Sequence, residues 1–107
     1  MEYTFTAANF EEEVLRGDLP VLVDFWATWC QPCRMMAPVL ESAEKQLGSQ
    51  INFVKVDVDE QQQLAAEFDI MSIPTLVVFK DGKLVKRMSG YRPLDAFVEE
   101  LKSAVES

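Results

Sequence analysis

The sequence predicts an α/β fold, a mixed central β-sheet flanked by helices, in a single domain over residues 1–107. Apolar runs of strand length alternate with segments of helical periodicity, a pattern typical of strands covered on both faces. Near the carboxyl end, two strand-like runs are separated only by Asp81-Gly82, a strong hairpin signal that adds an antiparallel edge. The chain has 107 residues, of which 49% are hydrophobic. It can therefore bury one core, and it is too short for two.

The first predicted elements are a short strand and a helix. Thr6 can cap this helix, which carries Phe10 and Val14 on one face. Pro20 precedes residues 21–27, which are nearly continuous in hydrophobicity and rich in β-branched and aromatic side chains. These residues are therefore predicted to form a central strand that is buried on both faces.

A second helix is predicted to begin at the segment Cys30–Cys33 and to end at Gly48. Pro32 falls in its first turn, where a missing N–H costs nothing. Cys33 begins a helically spaced apolar stripe and is expected to be buried. Cys30 is expected at the exposed tip of the helix.

The remaining elements alternate until the final hairpin. Residues 51–58 alternate in polarity like a strand, and Asp59 with Gln62 resembles a capping box that opens a short helix. Residues 74–79 and 83–89 are predicted to form the strands of the hairpin. A last amphipathic helix starts near residue 93, so the complete order is βαβαβαββα.

The composition excludes several classes of function. The net charge is −8, and an acidic balance argues against nucleic acid and anionic membranes as partners. The chain contains no histidine, which excludes His-dependent hydrolases and His-ligated zinc. No apolar run approaches the roughly 18 residues of a membrane span, and the start lacks the features of a signal peptide. We therefore expect a cytoplasmic protein.

The only two cysteines, Cys30 and Cys33, are separated by two residues. Two thiols at this spacing can close a disulfide if the segment begins a helix, whose unpaired N–H groups and dipole stabilise a thiolate on the first cysteine. The pattern therefore predicts a reversible dithiol/disulfide couple. The alternative is a metal site, which needs four ligands. Two thiolates without an imidazole fall short of that number, so we expect no metal.

Asp24 is out of place in a strand that is predicted to be buried. A buried carboxylate costs several kcal/mol unless it has a partner, and burial raises its pKa. Lys55 is the expected charge partner, although a solvated position at a strand edge is an equally good interpretation of this lysine. A purely structural Asp24, bonded to the backbone or to Lys55, is the alternative to a chemical role.

Several of these segments resemble the thioredoxin family. They are Val23-Asp24-Phe25-Trp26-Ala27, Trp29-Cys30 through Cys33, Ala37-Pro38, Lys55-Val56-Asp57, Ile73-Pro74-Thr75, Phe79-Lys80-Asp81-Gly82 and Gly90. The resemblance covers nearly the whole chain. It implies the thioredoxin fold, with the dithiol at the carboxyl end of a central strand, where open α/β sheets place their sites.

The resemblance also implies a role for each reactive group. Cys30 is the expected nucleophile, and Cys33 is the resolving thiol that attacks the mixed disulfide with the substrate. Asp24, with Lys55 beside it, is expected to accept the proton of Cys33 through water.

The chain departs from the family pattern at two places. It carries Gln31-Pro32 between the cysteines, where thioredoxins usually carry Gly-Pro. This dipeptide tunes the redox potential in the family, so we expect Gln31 to shift the potential modestly. Ser72 replaces a frequent glycine, which is tolerable unless the backbone requires a positive φ.

The resemblance further implies a substrate-binding patch around Cys30. We expect Trp29, Ile73, Gly90 and Tyr91 to form a flat apolar surface there. Pro74 is expected to be cis, which would turn the Ile73 backbone toward the dithiol and let an extended substrate pair with it. Core packing of Trp29 and an ordinary trans proline at the strand start are the alternatives.

The expected partners follow from the same resemblance. The chain has no Gly-rich phosphate loop, so we expect no cofactor of its own and a supply of electrons from a thioredoxin reductase. Its substrates would be proteins that contain disulfides, and we expect it to act as a monomer. Two alternatives stay open: a disulfide oxidase or isomerase of the same fold, and a chaperone-like binding module without redox turnover.

Overall fold

A computed structural model of the chain describes residues 10, 12 and 18–106. Within these residues the chain forms four strands and three helices. They are β1 (Val21–Trp26), α1 (Gln31–Leu47), β2 (Asn52–Asp57), α2 (Gln62–Glu67), β3 (Thr75–Lys80), β4 (Lys83–Ser89) and α3 (Leu94–Glu106). The predicted first strand and the helix assigned to Thr6 and Val14 lie outside the described residues.

The four strands form one mixed sheet in the order β2-β1-β3-β4. Strand β1 pairs parallel with β2 and antiparallel with β3, so it lies inside the sheet, with Val23 opposite Val54 on one side and Val77 on the other. Its residues Val21–Phe25 are all buried. The prediction of a central strand covered on both faces is therefore confirmed, as is the hairpin of β3 and β4.

The direction of β3 differs from the sequence-based expectation, which placed the antiparallel part of the sheet only at the final hairpin. Strand β3 starts with Thr75 opposite Phe25, next to the pair formed by Trp26 and Asp57. The connection from β2 to β3 thus stays at one end of the sheet and holds only the six-residue helix α2. Because the chain never crosses to the other end, β3 must run antiparallel to β1, and the connection stays beside the end of β1.

Each face of the sheet carries its own apolar core. Helices α1 and α3 pack on one face, around residues that include Leu22, Met36, Leu76, Phe97 and Leu101. On the opposite face the core includes Phe10, Val23, Phe25, Leu64 and Phe79, with Phe68 packed against it. Alternation along β1 sends Leu22 to the first core and Val23 to the second. Asp24 therefore points to the face that α1 covers.

The capping box predicted for α2 does not form. The helix begins after Gln61, which makes no side-chain capping hydrogen bond. The N–H groups of Asp59 and Glu60 instead donate to Asp57 Oδ1, at 2.8 and 3.4 Å. The carboxylate of Asp57 thus takes the role at this turn that the sequence assigned to Asp59. None of the helices in the described part of the chain has the length and apolar character that a membrane span requires.

Candidate functional site

The two cysteines lie where β1 passes into α1. Cys30 is the N-cap of α1, Pro32 lies in the first turn, and the two cysteines form a disulfide with their Cα atoms 5.3 Å apart. The N–H of Cys33 donates a hydrogen bond to Cys30 Sγ at 3.2 Å. A thiolate at this position would accept the same bond at the positive end of the helix dipole, which lowers the pKa of a cysteine. The helix start predicted from the sequence is therefore confirmed.

The expected exposure of Cys30 is wrong for this disulfide form. Its side chain is only 4% exposed, similar to that of Cys33, which was expected to be buried. The two cysteines pack with Ala27, and Val58 and Ile73 lie against this cluster. Cys30 Sγ lies 3.7 Å from the Ile73 carbonyl oxygen. Residues from the connection between β2 and β3 therefore cover the sulfur, while Gln31 and Pro32 form the exposed tip.

Asp24 is a buried carboxyl group with an incomplete set of partners. It is 4% exposed, and its Oδ1 atom has no hydrogen-bond partner. Burial raises its pKa from 3.8 to about 7, and the positive charge of Lys55 opposes this rise. A group with this pKa is partly protonated at neutral pH, so it can take up and release protons there.

Lys55 is placed beside Asp24 by the pairing of β1 with β2, in which the two residues are direct partners. Its side chain is half-buried, and its Nζ lies 4.4 Å from the centre of the Trp26 ring. An ammonium group over an aromatic face is attracted by the ring quadrupole. Lys55 lies on the edge strand β2 of the described sheet, and its contact with Trp26 keeps the half-buried side chain near Asp24.

A groove connects Asp24 with solvent. It has a volume of about 260 Å³, and its lining includes Asp24, Lys55, Ala37, Leu40 and Glu44. This space is large enough for several water molecules, since one water needs only about 10–15 Å³ of such volume. The Oδ1 atom itself is buried, so only a small part of the Asp24 side chain borders this space.

Trp29 is exposed and anchored rather than packed in the core. Its side chain is 65% exposed, and its Nε1 donates a hydrogen bond to Asp59 Oδ2 at 2.8 Å. The indole forms one wall of a second groove, of about 400 Å³, which we call the Trp29 groove. Its lining is Trp29, Val58, Ile70, Met71, Ser72 and Ile73. Two of the predicted patch residues, Trp29 and Ile73, are therefore brought together.

The segment that faces the disulfide contains a cis peptide bond between Ile73 and Pro74, as expected from the resemblance. Gly90 supports this segment, because its N–H donates to the Pro74 carbonyl at 2.9 Å. Gly90 has a φ of +86°, a conformation that glycine adopts at no steric cost. Gly90 thus contacts the backbone of Pro74 and does not line the Trp29 groove. Ser72 is not among the described residues with positive φ, so its replacement of glycine is tolerated.

Two residues of this region escaped the sequence analysis. Asp59 was interpreted as a helix cap, and no local pattern connects it with an indole thirty residues away. Met71 lies two residues before Ile73, and this closeness to the Ile73–Pro74 motif was the only feature of the sequence that could have placed Met71 in the Trp29 groove. Both lie on the connection between β2 and β3, which the fold keeps beside the disulfide.

The Asp59 hydrogen bond is expected to hold the exposed Trp29 indole in place. We expect Asp59→Ala to release the indole at the cost of one lost hydrogen bond, about 0.5–1.5 kcal/mol. The Trp29 indole N–H should also exchange faster with solvent in NMR spectra. Glu60→Ala is the matched control, because it removes a neighbouring exposed carboxylate that is not bonded to Trp29. Unchanged indole exchange in Asp59→Ala would contradict the anchoring role.

Comparisons with known proteins agree with this geometry. A family model described as Thioredoxin matches residues 2–103. The chain is 47% identical over 103 residues to the thioredoxin of Alicyclobacillus acidocaldarius subsp. acidocaldarius, covering 96% of this chain and 97% of that protein. It is 48% identical over 100 residues to the thioredoxin of Listeria monocytogenes, covering 94% and 95%. For the thioredoxin of Bacillus subtilis, the identity is 47% over 94 residues, with 88% of each chain covered.

Proposed function

The chain belongs to the thioredoxin family, and from this membership we propose the roles of its site residues and its partners. It is a thiol–disulfide oxidoreductase of the protein-disulfide reductase type. The observation that carries the proposed roles is the Cys30–Cys33 disulfide at the start of α1, where an N–H donates to Cys30 Sγ. We propose that this couple exchanges electrons with disulfides of other proteins. We also propose that residues 1–107 form a single domain.

In the reduced chain, Cys30 is the nucleophile. Its thiolate attacks one sulfur of a substrate disulfide, forms a mixed disulfide and releases the other substrate sulfur as a thiolate. Cys33 then attacks Cys30 Sγ, and the second substrate thiolate leaves. The substrate has gained two electrons, and the chain holds the Cys30–Cys33 disulfide. The helix start supports this order, because it stabilises a thiolate on the N-cap cysteine in particular.

Asp24 is the proton acceptor for Cys33 in the second step. A thiol must lose its proton to attack, and a carboxyl group with a pKa of about 7 can accept that proton at neutral pH. The groove beside Asp24 has room for water, and such water would relay the proton between the two groups. Lys55 assists by holding part of the Asp24 population in its charged form, because its positive charge opposes the effect of burial.

Substrates dock across the Trp29 groove and the Ile73–Pro74 segment. Exposed Trp29 and Ile73 both line the groove, and the Ile73 carbonyl lies next to Cys30 Sγ. An extended substrate segment can pair with the Ile73 backbone in the manner of an added strand. The N–H of Gly90 donates a hydrogen bond to the Pro74 carbonyl and so helps to hold this segment in place.

The electrons come from a thioredoxin reductase, and the chain works as a monomer in the cytoplasm. The two-cysteine couple supports a reductase partner, because each turnover leaves a disulfide that another protein must reduce. In a reducing compartment the resting form of the couple is the dithiol, which supports transfer of electrons from this chain to the substrate disulfide.

The reduction potential distinguishes a reductase from an oxidase or isomerase. We expect equilibration against a dithiol buffer to give about −270 mV, the value known for thioredoxin. Gln31→Gly, which restores the common dipeptide, measures how much Gln31 shifts the potential. A potential between about −180 and −120 mV would favour donation of disulfides, as in disulfide isomerases and oxidants. If the two cysteines form no reversible couple, the chaperone-like binding module is the hypothesis that remains.

A further inference from the structure

The feature that carries a further inference is the thioether of Met71, in the Trp29 groove. We propose that Met71 is a modification site, where a hydroperoxide oxidises the thioether to the sulfoxide and so weakens docking of protein substrates. The functional part of this inference rests on the proposed role of the Trp29 groove. The chemical part rests on the exposure and position of Met71 alone.

Met71 is far more accessible than the other methionines of the described part of the chain. Its side chain is 92% exposed, against 52% for Met35. Met36 and Met88 lie in the core between the sheet and helices α1 and α3, where both are almost completely buried. Oxidation of a methionine needs contact between its sulfur and the oxidant, so susceptibility follows exposure. The structure therefore predicts the order Met71, then Met35, with Met36 and Met88 protected.

The reaction needs only the thioether and a hydroperoxide. A sulfur lone pair attacks the terminal oxygen of the peroxide, the O–O bond breaks, and that oxygen becomes the sulfoxide oxygen. The remaining oxygen takes up a proton and leaves as water or an alcohol. The sulfur loses two electrons, and the peroxide gains them. The product carries a polar, strongly accepting S=O group in place of an apolar sulfur.

The position of Met71 gives this change a consequence. Met71 lines the Trp29 groove together with Ile70, Ile73 and the exposed Trp29, and the Ile73 carbonyl oxygen lies 3.7 Å from Cys30 Sγ. A flexible, polarizable methionine adapts to many apolar partners, and it is common on surfaces that bind several ligands. A sulfoxide there would have to lose its hydration when an apolar substrate segment covers it. Docking of proteins should therefore weaken, while the cysteine chemistry itself is untouched.

The redox state of the chain decides when Met71 is the main target. Cys30 and Cys33 are the only cysteines, and in the disulfide form neither is free. A hydroperoxide then has no thiolate to consume, and the exposed thioethers are the remaining soft nucleophiles. We expect the sulfoxide to form mainly when the chain stays in the disulfide form, that is, when the supply of electrons is exhausted.

The test treats the purified disulfide form with hydrogen peroxide and maps each methionine by peptide mass spectrometry. Among the methionines of residues 18–106, we expect Met71 to be oxidised first. After removal of the peroxide, kcat/KM is measured for a protein disulfide and for a small organic disulfide. The value for the protein should fall roughly three- to tenfold, the loss expected when one apolar side chain is no longer partly buried on docking. The value for the small disulfide should be unchanged, because that substrate does not fill the groove.

Two variants make the result specific, each compared with its own untreated sample. Met71→Leu should keep its activity through the peroxide treatment, whereas Met35→Leu, the matched control, should lose it as the unmodified chain does. Earlier oxidation of Met35 than of Met71, or equal loss of activity in Met71→Leu, would overturn the inference. An untreated chain that reduces no protein disulfide would instead contradict the proposed function, and the order of oxidation would still test Met71.

Discussion

Asp24→Asn is expected to raise the free energy of unfolding at pH 8 by several kcal/mol and to flatten its dependence on pH. Burial raises the pKa of Asp24 from 3.8 to about 7. Well below pH 3.8 the carboxyl group is protonated in both the folded and the unfolded chain. Between about pH 4 and pH 7 the unfolded chain is ionised while the folded chain stays largely protonated, so folding becomes less favourable as the pH rises. Each pKa unit corresponds to about 1.36 kcal/mol, so the free energy of unfolding of the wild-type chain should fall by roughly 4 kcal/mol between pH 4 and pH 8.

The measurement is urea unfolding of the disulfide form between pH 4 and pH 8. The stability difference between variant and wild type should grow across this range and level off above pH 7. Glu41→Gln is the matched control, because it removes an exposed carboxylate at the mouth of the same groove. Parallel pH profiles for wild type and Asp24→Asn would contradict the raised pKa, whatever the absolute stabilities.

The same variant should lose activity although it gains stability. An asparagine cannot accept the proton of Cys33, and general bases contribute about 10²–10⁴-fold to a rate. Because water in the groove can replace part of this role, we expect resolution of the mixed disulfide to slow by roughly 10- to 100-fold at pH 7. The formation of the mixed disulfide should be nearly unaffected. A gain in stability with unchanged resolution would leave Asp24 as a structural residue only.

Cys33→Ser is expected to abolish turnover and to trap the substrate on Cys30. Without the resolving thiol, the first attack still forms a mixed disulfide, but no internal sulfur can release the substrate. We expect multiple-turnover reduction of a protein disulfide to fall by roughly 10³-fold or more, as for the loss of other essential nucleophiles. Mass spectrometry should show one substrate molecule bound covalently to the variant.

Cys30→Ser is the control that assigns the two roles. It keeps Cys33, which lies within α1 rather than at its N-cap, so the Cys33 sulfur lacks an N–H donor like the one that bonds Cys30 Sγ; we therefore expect little or no adduct. The adduct of Cys33→Ser should disappear on addition of a small dithiol. Catalysed reduction that survives Cys33→Ser, or an adduct of equal yield in Cys30→Ser, would contradict the two-thiol mechanism.

The parts of the site that follow from local sequence were predictable. The helix start at the cysteine pair rests on short-range geometry, and the structure has Cys30 as the N-cap. The central strand follows from its continuous hydrophobicity, and a buried Asp24 follows from its position in that strand. The cis bond before Pro74 was predicted only from the resemblance, because isolated sequences overwhelmingly favour trans.

The errors concern contacts between segments that are distant in sequence. The burial of Cys30 depends on Val58 and Ile73, which local helix periodicity cannot place. Asp59 looked like a helix cap, but its carboxylate bonds Trp29 while Asp57 takes the turn N–H groups. The direction of β3 depends on where the connection from β2 lies, and hydrophobic patterns do not distinguish parallel from antiparallel neighbours.

The path of the chain between β2 and β3 has a practical consequence for anyone who wants to attach this protein to a bead, an electrode or a second protein. Because β3 starts beside the disulfide and runs away from it, the turn between Lys80 and Lys83 lies at the opposite end of the sheet. Asp81 is exposed at this turn and already has the positive φ of a tight hairpin. Exposed loop tips of this kind tolerate insertions well. A tether there leaves the end of the described sheet that carries the disulfide open.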